Sequence, residues 1–167
     1  NEFIDDFNEF HDDISKTTLI FEDEMASKLH PNKGFIWTRE SKPFIETECS
    51  HEKTYIVGGV SPTSGETFTL TNEKFNSLIF IRYLKLLLEK IDGEITLIMD
   101  NSPVHHSKIV NNFFDNNSRL NRIFLPEYSP DFNPKENFWN YLRKKFLNNK
   151  VFKTVEEMAS EVLEFIK

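Results

Sequence analysis

The sequence predicts an α/β domain in which one mixed sheet is flanked by helices. Three observations carry this. Strand-like segments come in series through Thr71, which favours antiparallel pairing between neighbours. Helical and strand-like segments then alternate to the C-terminus, which favours parallel strands. Acidic residues stand where apolar runs stop, with Asp23 after Thr18-Leu-Ile-Phe and Asp100 after Ile95-Thr-Leu-Ile-Met.

The elements follow in chain order. Residues 1–16 are acidic, and Phe3, Ile4, Phe7 and Phe10 recur with helical spacing, so they read as an N-terminal helix or a connector. The chain opens with Asn rather than Met, so upstream sequence is expected. Thr17 to Glu22 reads as a buried strand, Gly34 to Arg39 as a short one, and Lys53 to Val60 as a clearer one. Ser61-Pro-Thr-Ser-Gly65 is turn chemistry, and Glu66 to Thr71 returns to complete a hairpin. Asn72 is the expected cap of a helix running to about Ile91, with Phe75, Leu78, Ile79, Arg82, Leu86 and Glu89 along its stripe. Asp92-Gly93 stops that helix. Glu94 to Met99 is the most continuously apolar strand and is expected at the centre of the sheet. A helix over 106–116, a strand over 120–125 and helices over 133–148 and 154–167 complete the chain. One domain spanning 17–167 is the expected organisation.

Composition narrows the chemistry. Hydrophobic residues make up 38% of the 167, and 17 are Phe, enough for a substantial core. The single Cys49 excludes an internal disulfide framework and fits a reducing compartment. No signal peptide or membrane span is legible, since the apolar stretch Ser77 to Leu88 is broken by Arg82 and Lys85. A cytoplasmic location and no membrane partner are therefore expected. The net charge of −7 is concentrated in residues 1–30, which hold nine Asp/Glu against two Lys/Arg. An acidic chain is a poor free-standing nucleic-acid binder unless cations neutralise its carboxylates. One basic segment exists: Lys135, Arg143, Lys144, Lys145, Lys150 and Lys153.

Three segments carry candidate chemistry. Phe21-Glu-Asp-Glu24 sets three acids in a row after a strand, and alternation turns Glu22 and Glu24 away from the side that Asp23 faces. Asp23 is thus the expected member of a shared site. In Asp100-Asn-Ser-Pro-Val-His105, the acid sits at the carboxyl end of a strand, where open α/β sheets receive ligands. Asn101 and His105 are expected to hold Asp100 or a phosphate from behind. Leu125-Pro-Glu-Tyr-Ser-Pro-Asp-Phe-Asn-Pro-Lys-Glu136-Asn-Phe-Trp139 has three prolines that stiffen a loop before a helix. Asn133 and Glu136 have capping-box spacing, which explains an acid here without any metal. Trp139 and Arg143 nevertheless follow Glu136 on one helical face, with Phe138, Leu142 and Phe146 beside it as the expected anchors to the sheet. Converging carboxylates offer hard oxygen ligands for Mg²⁺ or Mn²⁺.

In this order and spacing the three segments resemble the DDE transposases of the mariner superfamily, in particular their bacterial insertion-sequence relatives, over roughly residues 17–148. The resemblance implies a ribonuclease-H-like fold with a five-stranded mixed sheet and helices on both faces. It implies that Asp23, Asp100 and Glu136 form a catalytic, metal-binding triad for two Mg²⁺ or Mn²⁺ ions. DNA cleavage and strand transfer are the implied reactions, transposon ends and target DNA the implied partners, and a homodimer on DNA the implied assembly. Lys135, Arg143 and Lys144 are the expected DNA contacts, and a nucleoid-associated cytoplasmic location follows. Two departures stand out: Glu127 replaces the second proline of the usual "LPPYSP", and Trp37-Thr-Arg-Glu-Ser-Lys-Pro lacks the glycine expected near Lys42. Family members carry basic helix-turn-helix modules ahead of this domain, and this chain carries none. A ribonuclease-H-like nuclease, or an inactive transposase-derived binding module, are the rival readings.

Overall fold

The computed structural model describes residues 17–29, 39, 52–126, 139–148, 150 and 152–166, with the backbone alone at 145 and 146. Five strands form one sheet in the order β3-β2-β1-β4-β5: β1 (Thr17–Lys28), β2 (Lys53–Val60), β3 (Thr67–Asn72), β4 (Glu94–Met99) and β5 (Leu120–Phe124). β1–β2 and β2–β3 pair antiparallel, whereas β4 pairs parallel with both β1 and β5. The centre of the sheet is therefore β1, with β4 beside it. The expected helix or connector over 1–16 and the expected strand from Gly34 lie outside the described residues, apart from Arg39.

β1 corrects one expectation. It does not end at Glu22 but runs on to Lys28, because its antiparallel ladder with β2 continues from Phe21↔Val60 to Lys28↔Lys53. Asp23 therefore lies inside a strand. What ends nearby is the parallel ladder with β4, whose last pair is Phe21↔Ile98. At the other end of that ladder the hydroxyls of Thr17 and Thr96 meet at 3.1 Å across 79 residues of chain.

Gly65, at φ 75, closes the β2–β3 connection and donates its N–H to the carbonyl of Ser61 at 2.8 Å. The next helix, α1 (Ser77–Lys90), is capped by Asn76 rather than Asn72. The Asn76 side chain accepts hydrogen bonds from the N–H groups of Leu78 and Ile79, while Asn72 completes β3. The buried stripe is also displaced from the expected one: Phe80, Tyr83, Leu84 and Leu87 face the sheet, and Leu78 is 68% exposed. Gly93, at φ 84, follows the helix end. Arg119 covers the carbonyls there, donating to Gly93 O at 2.7 Å, to Leu88 O at 3.4 Å and to Ile91 O. α2 (Lys108–Asp115) starts two residues later than expected because residues 103–106 form turns.

Side-chain alternation separates two cores. On one face Ile20, Val57, Leu97 and Met99 pack against α1 and against Val110 and Phe114 of α2. On the other, Met25 and Ile56 pack against Trp139, Leu142 and α3 (Val155–Ile166). Helices thus cover both faces. Leu19, Ile98, Ile123 and Leu125 form a smaller cluster on the Met25 side, since Leu19 and Met25 share a strand parity. Leu142, expected to anchor its helix, is fully buried. Residues 139–142 are α-helical and Arg143–Leu147 wind as a π-helix. The preceding expected turns, including Asn133 and Phe138, lie outside the described residues.

Close packing between α1 and the sheet rests on Gly59. A methyl group there would come within 2.4 Å of both Ile20 Cγ2 and the Tyr83 hydroxyl. Gly59→Ala is expected to destabilise the fold by about 1–3 kcal/mol, as overpacking does, read as a lower denaturant midpoint at unchanged slope.

Candidate active site

Asp23 and Asp100 each stand two residues beyond the last parallel pair, Phe21↔Ile98, so both leave that ladder at one level of the sheet. Asp23 remains on β1 and its Oδ1 accepts the N–H of Glu24 at 2.9 Å. Together with Glu24, Trp139, Asn140 and Arg143 it lines a cleft of about 220 Å³. Arg143 and Trp139, placed on one helical face by their spacing, therefore both reach the Asp23 side of the sheet. Lys144 is exposed beside them. Glu136 and Lys135 lie outside the described residues.

Asp100 opens the loop after β4, where no ladder fixes it. Its Oδ1 accepts the Ser102 N–H at 2.9 Å and lies 3.1 Å from His105 Nδ1. The same nitrogen lies 3.1 Å from the Asp100 carbonyl. Both oxygens are acceptors, so Nδ1 carries the proton. The bond to His105 pulls the Asp100 carboxyl below its ordinary range against the effect of partial burial, and the Ser102 N–H adds to the pull. Asn101 reaches the other way: its Nδ2 donates to Leu125 O at 2.7 Å and its Oδ1 accepts from His106 Nε2 at 3.1 Å. The His106 ring stacks on Phe124 at 4.3 Å. Asn101 thus ties the Asp100 loop to the end of β5, and His105 is the side chain that meets the carboxylate.

Two acids that alternation turned away from Asp23 are part of this corner. Glu22 is fully buried, and its Oε2 lies 3.5 Å from His105 Nε2. One ligand atom from each of Glu22, Glu24 and His105 lies within 4.8 Å of the others. His105 itself is 1% exposed and packs against Phe80, with ring centroids 4.5 Å apart. Burial pushes the Glu22 carboxyl up to about 8, with His105 opposing and Glu24, Asp23 and Asp100 adding to the rise. Burial likewise brings Glu24 to about 7, against His105 and with Asp100 and Asp23. Burial alone would lower His105, but the bond to Asp100 and the charge of Glu22 outweigh it and raise the imidazole to about 9. Glu22 shares the strand parity of Ile20, and a carboxylate on that apolar side of a central strand requires a partner that the sequence alone does not reveal. His105 supplies it.

The arrangement is a corner of hard oxygen donors at strand ends, with a cationic side chain in the adjoining cleft. Oxygen donors of this kind suit Mg²⁺ or Mn²⁺. Residues 18–159 match the family described as DDE superfamily endonuclease. The chain is 27% identical over 152 residues to the 39 kDa protein of insertion element IS630 from Shigella sonnei, covering 89% of this chain and 44% of that protein. It is 24% identical over 157 residues to the Tc3 transposase of Caenorhabditis elegans, covering 87% and 47%. The chain spans about half the length of these relatives. Its fold superposes on a Mos1 mariner paired-end complex with Mn at a TM-score of 0.68 and 16% identity, over 99% of this chain and 53% of that one. The five-stranded sheet is accordingly ribonuclease-H-like.

Proposed function

The chain belongs to the DDE superfamily endonucleases, and from that premise we propose that it is a transposase catalytic domain that cleaves and joins DNA strands. The observation that carries this reading is the β1–β4 register, in which Asp23 and Asp100 each stand two residues past the last parallel pair. Asp23, Asp100 and Glu136 are the proposed ligands of Mg²⁺ or Mn²⁺. The donor chemistry fits: all three are carboxylates, and Asp100 stays ionised because His105 and the Ser102 N–H bind its charged form. Support for Glu136 comes from Trp139, three residues further on, which lines the cleft with Asp23. Two such ions would stabilise the attacking and leaving oxygens of an in-line displacement at phosphorus.

In this reading water first cleaves a phosphodiester and frees a 3′-hydroxyl at the element's end, and that hydroxyl then attacks target DNA. One site serves both steps because only the nucleophile changes. Arg143, in the cleft with Asp23, is suited to hold a phosphate of the scissile strand. Lys144, exposed, and Lys135 are proposed contacts to the DNA backbone. Lys144→Ala is expected to reduce the slope of log binding constant against log salt by about 1, measured on duplex DNA. A homodimer on paired ends, helix-turn-helix modules outside this chain for end recognition, and a nucleoid-associated cytoplasmic location belong to the same proposal.

The test is incubation with supercoiled plasmid and Mn²⁺. Nicking that a chelator abolishes supports the reading, and cleavage confined to RNA–DNA hybrids would favour a ribonuclease instead. An intact plasmid, together with a melting temperature that Mn²⁺ does not raise, would count against any metal-dependent nuclease.

A further inference from the structure

A fully buried carboxylate on the central strand needs a physical account. Glu22 follows Ile20 on the apolar face of β1, which packs against α1 and α2. Burying an ionisable group there is unfavourable unless another group compensates it. The compensating group is His105, whose Nε2 lies 3.5 Å from Glu22 Oε2. The other nitrogen of that ring lies 3.1 Å from Asp100 Oδ1. Phe80 covers the imidazole at 4.5 Å and Phe75 at 6.3 Å, so the ring is held within an apolar wall. Glu22, His105 and Asp100 thus form one chain of polar contacts from the hub of the sheet to the loop after β4.

We infer that Glu22 is a positioning residue for Asp100, acting through His105. The inference rests on the reading of Asp100 as a metal ligand and deepens it. Asp100 lacks ladder hydrogen bonds, so the direction of its carboxylate depends on Ser102 and His105. The orientation of the ring depends in turn on what its far nitrogen meets. Groups behind a ligand that fix it in this way commonly change metal affinity 10–100-fold when removed. Glu22 stands one step further back than such a group, behind a histidine that touches the ligand and not the ion.

Mn²⁺ binding to the chain, followed by electron paramagnetic resonance of the free ion, tests this. Glu22→Leu is expected to weaken binding about ten-fold, measured on a chain that circular dichroism shows to be folded. Glu22→Gln, which keeps a hydrogen-bonding head at the same reach, is expected to restore binding to within about two-fold of the unchanged chain. In a His105→Gln background, Glu22→Leu is expected to add less than about two-fold, because the two act in series. If the leucine variant does not fold, Glu22→Thr, which suits a strand but withdraws the head from His105, is read in the same way. Unchanged affinity in Glu22→Leu with weakened binding in Asp100→Asn overturns the inference alone. A full additional loss in the His105→Gln background also overturns it, since Glu22 would then act directly on the ion. Undiminished binding in Asp100→Asn overturns the ligand reading and this inference with it.

Discussion

Asp100→Asn is expected to lower metal-dependent nicking of plasmid DNA by about 10³-fold or more while leaving the chain folded. A metal ion that stabilises developing charge at phosphorus is worth several kcal/mol in the transition state, and each 1.36 kcal/mol is about a factor of ten in rate. Asparagine keeps the shape of the side chain but removes the charge that makes it a hard ligand. The fold should tolerate the change. The Asp100 side chain is 54% exposed, it lies outside the strand ladder, and an amide oxygen can still accept from Ser102 N–H and His105 Nδ1. Asp23→Asn carries the same expectation from the other strand. The check is the initial rate in Mn²⁺ beside the melting temperature of each variant. Wild-type nicking by a folded Asp100→Asn chain would remove Asp100 from the ligand set.

The second large effect is on stability against pH. Glu22, Glu24 and His105 all have folded-state values above their ordinary ones, at about 8, 7 and 9. A raised value means the folded chain holds a proton that the unfolded chain releases more readily. The stabilisation is therefore complete below the unfolded values and is lost as pH rises through the folded ones. Asp100, held low, contributes in the opposite sense: its stabilisation is present above the ordinary carboxylate range and disappears in acid. Without divalent metal the unfolding free energy is thus expected to be greatest near pH 5 and to fall by a few kcal/mol by pH 9. Glu22→Gln, which cannot ionise, should flatten that decline. Urea denaturation at pH 5, 7 and 9 measures it, and a stability rising from pH 5 to 9 would show that the buried acids are not held protonated.

The strands were readable because short apolar runs bounded by polar or turn residues survive in the sequence, as in Lys53–Val60 and Glu94–Met99. Boundaries were less readable where tertiary pairing decides them. The extension of β1 to Lys28 is imposed by β2, whose partner residues arrive from beyond position 52. Two asparagines near the start of α1 each suit a cap, and the choice of Asn76 depends on which one the hairpin has already used. At the candidate site, Asp23 and Asp100 were legible as acids at the ends of apolar runs. Glu22 was not, because its partner lies 83 positions away in sequence, and only the fold reveals that His105 arrives at its carboxylate.

The sheet order also sets when the site can exist. β2 and β3 are joined by a tight turn, so their pairing closes a short loop. The β1–β4 ladder instead joins positions 77 residues apart, from Thr17↔Glu94 to Phe21↔Ile98, and encloses the hairpin and α1 within its loop. Contacts of such separation form against a larger entropic barrier and tend to come late. Asp23 and Asp100 are brought to one level of the sheet only by that ladder. During synthesis, then, a chain that has emerged as far as α1 holds Asp23 without Asp100. The proposed triad would be complete only once Glu136, beyond β5, has followed, after the antiparallel half has formed.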